Sequence, residues 1–552
     1  MIHPQRTRLV ARHRAPKLAD SSGSRDSVCR RPGFRCGPIL ALLAGLLLLA
    51  GCSTYTARYA ALRPDLADGR YDAALKIIEE NRKGKDLLLY YLEKAMVLHY
   101  ADRWRESNEV FQLAEDLAAD LYTKSVSEGL FSLITSDNSI SYRARPFEMA
   151  MIPYYRALNY IYLDQKEDAL VEARKASLYL REYASLTRQA LQEAGGEGDK
   201  KSEAKHGDSD AVELLSNNAF LHYFSGMLYE WDGEVNDAFI AYRNAADAYA
   251  TTMRELDVQP PPALANDLVR AGERLGFMTE VEEIFAAHPD LFGQDNEDPD
   301  EGQVGSGALA APEAPAPLAP AQETAPTEQV APTRSSLQTT ATGEVVLLLE
   351  LGYIAHKEQQ ELNVPVLKGD NYNDNDAWAR GLAVRTRPGW SAGKREIDYW
   401  LRVAVPEMVS DRPQVQSARV SAGLAGTHAV TVIADDLEGQ AMLTFQDEYG
   451  TILLKTLVRG LAKYATKEAA DDKGAVAGIL ANIFGAVTET ADTRSWITLP
   501  NMIAVARLSL PVGVHDLRID LLDAKGRVVT TEDISGVIVR QGDWRFVSRR
   551  VF

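Results

Sequence analysis

The sequence predicts an α+β multidomain protein: an N-terminal solenoid of helical repeats, a linker, and a C-terminal β-rich half, all behind an apolar leader. Three observations predict it. From about Tyr59 to Phe292 apolar residues recur at three and four, alanine is abundant, and three windows align on their small residues. A tract rich in Ala, Pro, Thr and Glu then runs through 293–343, too poor in apolar side chains to order itself. From Glu344 the texture changes to short β-branched or alternating runs bounded by turn residues.

The leader comes first. Every residue from Ile39 to Gly51 is Ile, Leu, Ala or Gly. As a helix, at ~1.5 Å per residue, the run covers roughly 20 Å, short of the ~30 Å of a bilayer core. It matches the h-region of a secretory signal, with Arg30, Arg31 and Arg35 ahead of it as a positive n-region. Leu49-Ala50-Gly51-Cys52 resembles a bacterial lipobox. That resemblance implies cleavage before Cys52, a diacylglyceryl thioether and a third acyl chain on Cys52, and, with Ser53 rather than Asp at position two, sorting to the outer membrane. Three chains anchor stably where one binds only marginally. Residues 1–51 are therefore a signal peptide and 52–58 a lipidated N-terminus. The n-region is long, and a start near Val28 would shorten it to an ordinary one.

Of 60 Lys+Arg and 78 Asp+Glu, nine and two lie in residues 1–51, which leaves the mature part a net charge of −25. Such a charge argues against nucleic acid and against adhesion to anionic lipid. Cys29 and Cys36 leave with the leader and Cys52 carries lipid, so neither a disulfide nor a thiolate metal site is expected. No cofactor is expected beyond the covalent lipid.

The helical half, 59–292, shows its repeat most clearly in HYFSGMLYEWDGEVNDAFIAYRNAADAY. There Gly226, Tyr229, Ala238, Tyr242 and Ala245 fall at offsets 0, 3, 12, 16 and 19. Ala157, Tyr160, Ala169, Ala173 and Ala176 repeat these offsets, as do Ala95, Leu98, Ser107, Phe111 and Ala114. The pattern resembles the tetratricopeptide repeat (TPR). Small residues let two antiparallel helices approach, and the large residue at offset 16 fills the gap against the next pair. GRYDAALKIIEE (Gly69 to Glu80) is a partial unit. The windows start 62 and 69 residues apart, nearly twice the ~34 of a standard repeat, so each is followed by a divergent unit or an insertion. The resemblance implies a concave, protein-binding face. In this register it carries Tyr100, Tyr162 and Trp231 at one offset and Leu92, Tyr154 and Tyr223 at another. Aromatic residues are enriched at binding hot spots, and these six are the candidate groove; packing between helices is the alternative.

The linker, 293–343, reads as an extended Pro-rich spacer. In the β-rich half, 344–552, EVVLLLELGY, REIDYWLRVAVPEM, QSARVSAGLAG, THAVTVIADD, NMIAVARLSLP and SGVIVRQGDWRFVSRRVF read as strands. LPVGVHDLRIDLLDAKG reads as strand–turn–strand, with turns at Pro511–Gly513 and Lys525-Gly526. An immunoglobulin-like β-sandwich is expected, with a helical insert at about 437–490. Within the insert Leu453, Leu457, Leu461 and Tyr464 share one helix face, and GAVAGILANIFGAV (Gly474 to Val487) covers the sheet or contacts a membrane or partner helix.

Taken whole, ADTRSWITLPNMIAVARLSLPVGVHDL (Ala491 to Leu517), EVVLLLELG and the stretch from YRARPFEMAM to ALNYIYLDQKEDAL resemble a family of poorly characterised proteobacterial lipoproteins with the same layout. The resemblance implies a periplasm-facing envelope protein, and members occur beside lipoproteins that activate peptidoglycan synthases. No motif of a hydrolase, nucleotide-binding loop or metal site is present, and the seven histidines beyond the leader are scattered. Asp492 and Arg494 are expected to pair ahead of Trp496. The expected function is a non-enzymatic adaptor, held in the outer membrane by lipid, presenting its TPR groove to envelope proteins in cell-envelope assembly, with the β half reaching outward on the spacer. The alternatives are a glycan or lipid carrier or sensor acting through the β half, and a hydrolase with an unrecognised site.

Overall fold

The structure, a computed structural model, describes residues 54–124, 140–176, 178–179, 217–292, 341–368, 381, 383–386, 389–423, 427–471 and 490–552, without the side chains of 122–124 and 461–471. Leu49, Ala50, Gly51 and Cys52, most of the linker, and Gly474 to Val487 lie outside them.

After a single turn of helix, α1 (Tyr55–Arg58), the described residues form five helical hairpins. These are α2 (Leu62–Ala67) with α3 (Tyr71–Glu80), α4 (Leu87–Tyr100) with α5 (Trp104–Lys124), and α6 (Pro146–Tyr162) with α7 (166–176). Then come α8 (Ala219–Asp232) with α9 (Val235–Thr252), and α10 (Ala263–Leu275) with α11 (Met278–Ala287); α12 (Pro289–Phe292) follows. Every hairpin turns on a left-handed residue: Gly69, Asp102, Asp164, Gly233 and Gly276, with φ from 57° to 86°. Glycine enters this region freely, and aspartate tolerates it because its short polar side chain bonds locally. In the aligned windows this residue falls seven places after Ala95, Ala157 and Gly226, so the repeat register is a backbone register too. Residues 125–145 between α5 and α6 are too few for a further repeat of ~34; that gap is an insertion.

The small residues do bring the helices together, and of the two large residues at offset 16, Phe111 stacks on Tyr155 of the next pair at 6.3 Å between ring centroids, whereas Tyr242 packs within its own hairpin. A Cβ on Gly226 would lie 2.5 Å from the Tyr242 ring, and that ring is fully buried with its hydroxyl donating to Glu230 at 2.8 Å. Gly226→Ala is therefore expected to destabilise the chain by about 1–3 kcal/mol, seen as a lower thermal midpoint. An unchanged midpoint would mean that the ring can move aside.

Ten strands follow: β1 (Thr342–Leu351), β2 (His356–Leu367), β3 (Ile397–Val409), β4 (Ser417–Ala422), β5 (Thr427–Val430), β6 (Val432–Asp436), β7 (Met502–Pro511), β8 (Gly513–Leu522), β9 (Val528–Val539) and β10 (Trp544–Val551). They make a mixed sheet β10-β1-β7-β6, an antiparallel sheet β5-β4-β8-β9, and the pair β2-β3. β1 runs parallel to β10 and antiparallel to β7. Its apolar run is continuous because both faces are covered. Val346 and Leu348 enter the core of the helices, whereas Val345, Leu347, Leu349 and Leu351 pack against Val420, Leu517, Ile519 and Leu521 of the second sheet. The order of layers is thus helices, mixed sheet, second sheet. The sheets are small and not closed, and an immunoglobulin-like sandwich is not established by them.

The first expected turn also differs. β7 and β8 do not pair; the chain steps between sheets at Val512, because β7 is held between β1 and β6. The second turn stands as read: β8 and β9 are antiparallel neighbours, with Gly526 left-handed at φ 72° and the Asp523 carboxylate accepting from the Lys525 and Arg527 N–H groups. Among the described residues the insert holds one helix, α13 (Leu437–Asp471), whose Leu453 and Leu457 pack on Leu401, Val403 and Val405 of β3.

The β half does not reach away from the repeats. Cys52–Phe552 form one compact unit, and one core holds Tyr154, Phe220 and Phe224 of the helices with Val346, Trp496, Ile503 and Phe546 of the β half.

Candidate functional site

The six residues expected to form a partner groove meet the chain's own β half or sit in the core that it completes. Leu92, Tyr154 and Tyr223 are fully buried, and Tyr100, Tyr162 and Trp231 are half-buried. The three that share one offset each reach the mixed sheet. The Tyr100 hydroxyl donates to Glu350 of β1 at 2.5 Å. The Tyr162 hydroxyl accepts from the Ser548 N–H of β10 at 3.1 Å. Trp231 Nε1 donates to Asp543 at 2.7 Å, and its ring lies 5.9 Å from that of Phe546. From the other offset, Tyr154 donates to Glu350 at 3.4 Å, and Tyr223 donates to Asp267 at 3.0 Å. Asp267 in turn binds Arg507 of β7 at 2.6 Å. The expectation of an open groove is corrected in this respect: a repeat face lined with apolar rings needs a cover, and β1, β7 and β10 supply it within the same chain.

A second piece of the β half threads the same face without regular structure. Residues 491–501 run from α13 towards β7, and Thr493, Arg494, Trp496, Ile497, Thr498, Leu499 and Asn501 are all buried. The repeats hold this segment by its main chain. Trp496 N–H donates to Glu148 at 3.1 Å, Ile497 N–H donates to Glu93 at 2.9 Å, and the Ile497 carbonyl accepts from Arg63 Nε at 3.1 Å. Arg494 pairs with Asp492 at 2.6 Å, as the sequence suggested, and also reaches Asp86 at 3.4 Å and the Ile140 carbonyl at 2.8 Å. The hold is charge-assisted, with carboxylates accepting from N–H groups and a guanidinium donating to C=O.

Burial sets the electrostatics. It pushes the Glu93 carboxyl up to about 7 and Asp435 to about 7. Asp435 accepts from Asn218 at 3.0 Å and from Gln440 at 2.7 Å. Burial also raises Glu350 and Asp267, against the pull of Arg550 and Arg507 respectively. The His99 ring is buried, bonds Asn159 at 2.6 Å, and is driven down to about 4 by that burial; it is a packed histidine. Among the described residues no group of three or more His, Cys, Asp or Glu could hold a metal ion, and no helix is long and apolar enough to cross a membrane.

Sequence reasoning missed the buried acids that make this interface. A signal was present: Glu93 stands inside LLLYYLEKAMVLHY, Glu350 inside VVLLLEL, and Asp267 inside a helix that opens ALANDLV. A lone carboxylate in an otherwise apolar run points to a buried polar contact.

No family model matches the chain, and no curated protein matches it. Among solved structures, a putative kinesin light chain with nearly identical TPR-like repeats from Podosopora anserina matches at 13% identity, covering 44% of this chain and 96% of that one, with a TM-score of 0.23. BtubC (BKLC) from P. vanneervenii matches at 15% identity, covering 50% of this chain and 93% of that one, with a TM-score of 0.26.

Proposed function

We propose that this chain is a non-enzymatic adaptor of the cell envelope, tied to the outer membrane by lipid on Cys52 and facing the periplasm, whose partners are proteins engaged in peptidoglycan or outer-membrane assembly. The observation that carries the reading is the hold of the helical array on residues 491–501. The array grips an extended segment by its main chain, which is what a peptide-binding repeat protein does. The β half occupies the concave face, so foreign partners dock on the outer surfaces of the joined body.

In-cell crosslinking of the tagged full chain, followed by mass spectrometry, tests the adaptor role. Recovery of a defined envelope protein is the expected result; recovery of glycan or lipid alone would transfer the function to a carrier. The anchor is tested separately. Cys52→Ser should leave the precursor uncut, abolish incorporation of labelled palmitate, and move the chain out of the outer-membrane fraction. Unchanged fractionation would sink the anchor.

A further inference from the structure

We infer that the loop Arg82-Lys83-Gly84-Lys85 rests on anionic phospholipid headgroups and sets how the anchored chain stands on its membrane. The inference rests on the lipid anchor at Cys52 and adds the face of the molecule that meets the bilayer.

The tether is short. Thr54 caps α1 by accepting from the Ala57 N–H at 3.3 Å, so the chain is already helical three residues after Cys52. From Thr54 to Arg58 the helix rises roughly 6 Å at ~1.5 Å per residue, and two extended residues back to Cys52 add at most about 7 Å. Arg58 meets the loop directly. Its guanidinium bonds Asp86 at 2.9 Å, and its carbonyl accepts from Asn81 Nδ2 at 3.5 Å. Lipid on Cys52 therefore draws the loop, which joins α3 to α4, towards the headgroups.

The chain as a whole is acidic, with a net charge of −18, and its overall field opposes an anionic surface. The loop reverses that field locally. Three of its four residues are cations, and the acids beside them are already matched: Glu80 to Lys76 at 3.8 Å, Glu79 to Lys94 at 2.6 Å, and Asp86 to Arg58. Among the described residues no acid forms an ion pair with Arg82 or Lys83, and both are exposed. Arg82 lies over the Tyr90 ring, 4.9 Å from its centroid. The Tyr142 N–H donates to the Lys85 carbonyl at 2.8 Å, which brings Arg143 beside the same loop.

Two further observations show positive charge in excess there. The Arg58 side chain is only 10% exposed, yet among the described residues its Nε and Nη1 meet no acceptor. Burial first and the charge of Arg58 second hold the Lys83 ammonium below its ordinary value; Lys85 adds to this, and Asp86 only partly opposes it. An anionic surface at the loop relieves this crowding of like charge. Within a Debye length of ~8 Å, each exposed cation strengthens contact with an anionic bilayer about fivefold. Three acyl chains already supply attachment, so the loop decides orientation rather than residence.

The test takes the full chain purified from membranes and floats it with vesicles of phosphatidylcholine alone, or of phosphatidylcholine and phosphatidylglycerol in equal parts. Exposed lysines are acetylated briefly, and mass spectrometry reads each site. The chain is expected to float with both vesicles, and labelling of Lys83 to fall about fivefold on the anionic ones and to recover in high salt. Lys525, exposed in the turn between β8 and β9, should label equally on both. Arg82→Glu should remove most of the protection at Lys83; Arg82→Ala serves if Arg82→Glu lowers the thermal midpoint. Flotation with both vesicles and equal labelling of Lys83 overturns the headgroup contact and leaves the anchor standing. Flotation with the anionic vesicles alone, with Lys83 protected, overturns the anchor and keeps the contact. Flotation with neither overturns both, and equal protection of Lys525 overturns the loop as the place of contact.

Discussion

Arg550→Ala is expected to lower the unfolding free energy of the chain by about 3–5 kcal/mol, the range for removing one partner of a buried ion pair. Its guanidinium lies 3.8 Å from Glu350, with side-chain exposures of 5% and 0%. It donates to the Gly352 carbonyl, to the Thr498 carbonyl at 3.3 Å and to the Leu499 carbonyl at 3.2 Å, and it stacks on Tyr353 and Phe552. Truncation would leave a carboxylate and three carbonyls without their cation, at the seam where β1, β10 and residues 491–501 meet the repeats. Far-UV circular dichroism and tryptophan fluorescence should show coincident transitions, since helices and sheet share a core. Glu350→Leu with Arg550→Met should recover part of the loss, because apolar replacement removes both desolvated charges together but leaves the three carbonyls and the Tyr100 and Tyr154 hydroxyls without these partners. A single variant as stable as the parent would show that the seam is held by packing alone.

That seam is also where the sequence was least informative. The hairpins were legible because small residues recur at fixed offsets, and their turns obey the same register at Asp102, Asp164 and Gly233. β1 was legible as a strand from EVVLLLEL. Its uninterrupted apolar character further implied two covered faces, and only one cover was assigned. Tyr100, Tyr162 and Trp231 marked the face that meets the mixed sheet, but side-chain periodicity says which face of a helix is apolar and nothing of what lies on it. A ring that packs on a foreign peptide and a ring that packs on the chain's own sheet follow the same spacing. Residues 491–501 carry neither helical nor strand period, and nothing local in them encodes burial; the array supplies it through Glu93, Glu148 and Arg63. The topology at Val512 was hidden for a related reason: two strands one residue apart look like a hairpin until a third strand claims the edge.

The second large effect is on pH. A carboxyl raised by burial contributes stability that is complete below its ordinary value and is lost as pH climbs through its value in the fold. Glu93 goes from 4.5 to about 7 and Asp435 from 3.8 to about 7, so both weaken the fold between about pH 5 and 7. His99, lowered from 6.5 to about 4, acts in the opposite sense: the unfolded chain gains a proton that the fold refuses, so acid below 6.5 is unfavourable. At ~1.4 kcal/mol per pH unit for each group, the histidine offsets about half of the two-carboxyl effect below pH 6.5 and none above it. The chain is therefore expected to lose roughly 3 kcal/mol from pH 5 to pH 8, most steeply just above 6.5, measured by urea unfolding across that range. Glu93→Gln keeps an acceptor for Tyr55 and for the Ile497 N–H while removing the titration, and should leave a loss of less than about 1 kcal/mol over the same range, because His99 then offsets most of the Asp435 effect. A midpoint that rises over the same range would mean that these carboxyls remain ionised in the fold, and that the groups facing them carry more positive potential than Arg63 near Glu93 or the amides of Asn218 and Gln440 around Asp435 can supply.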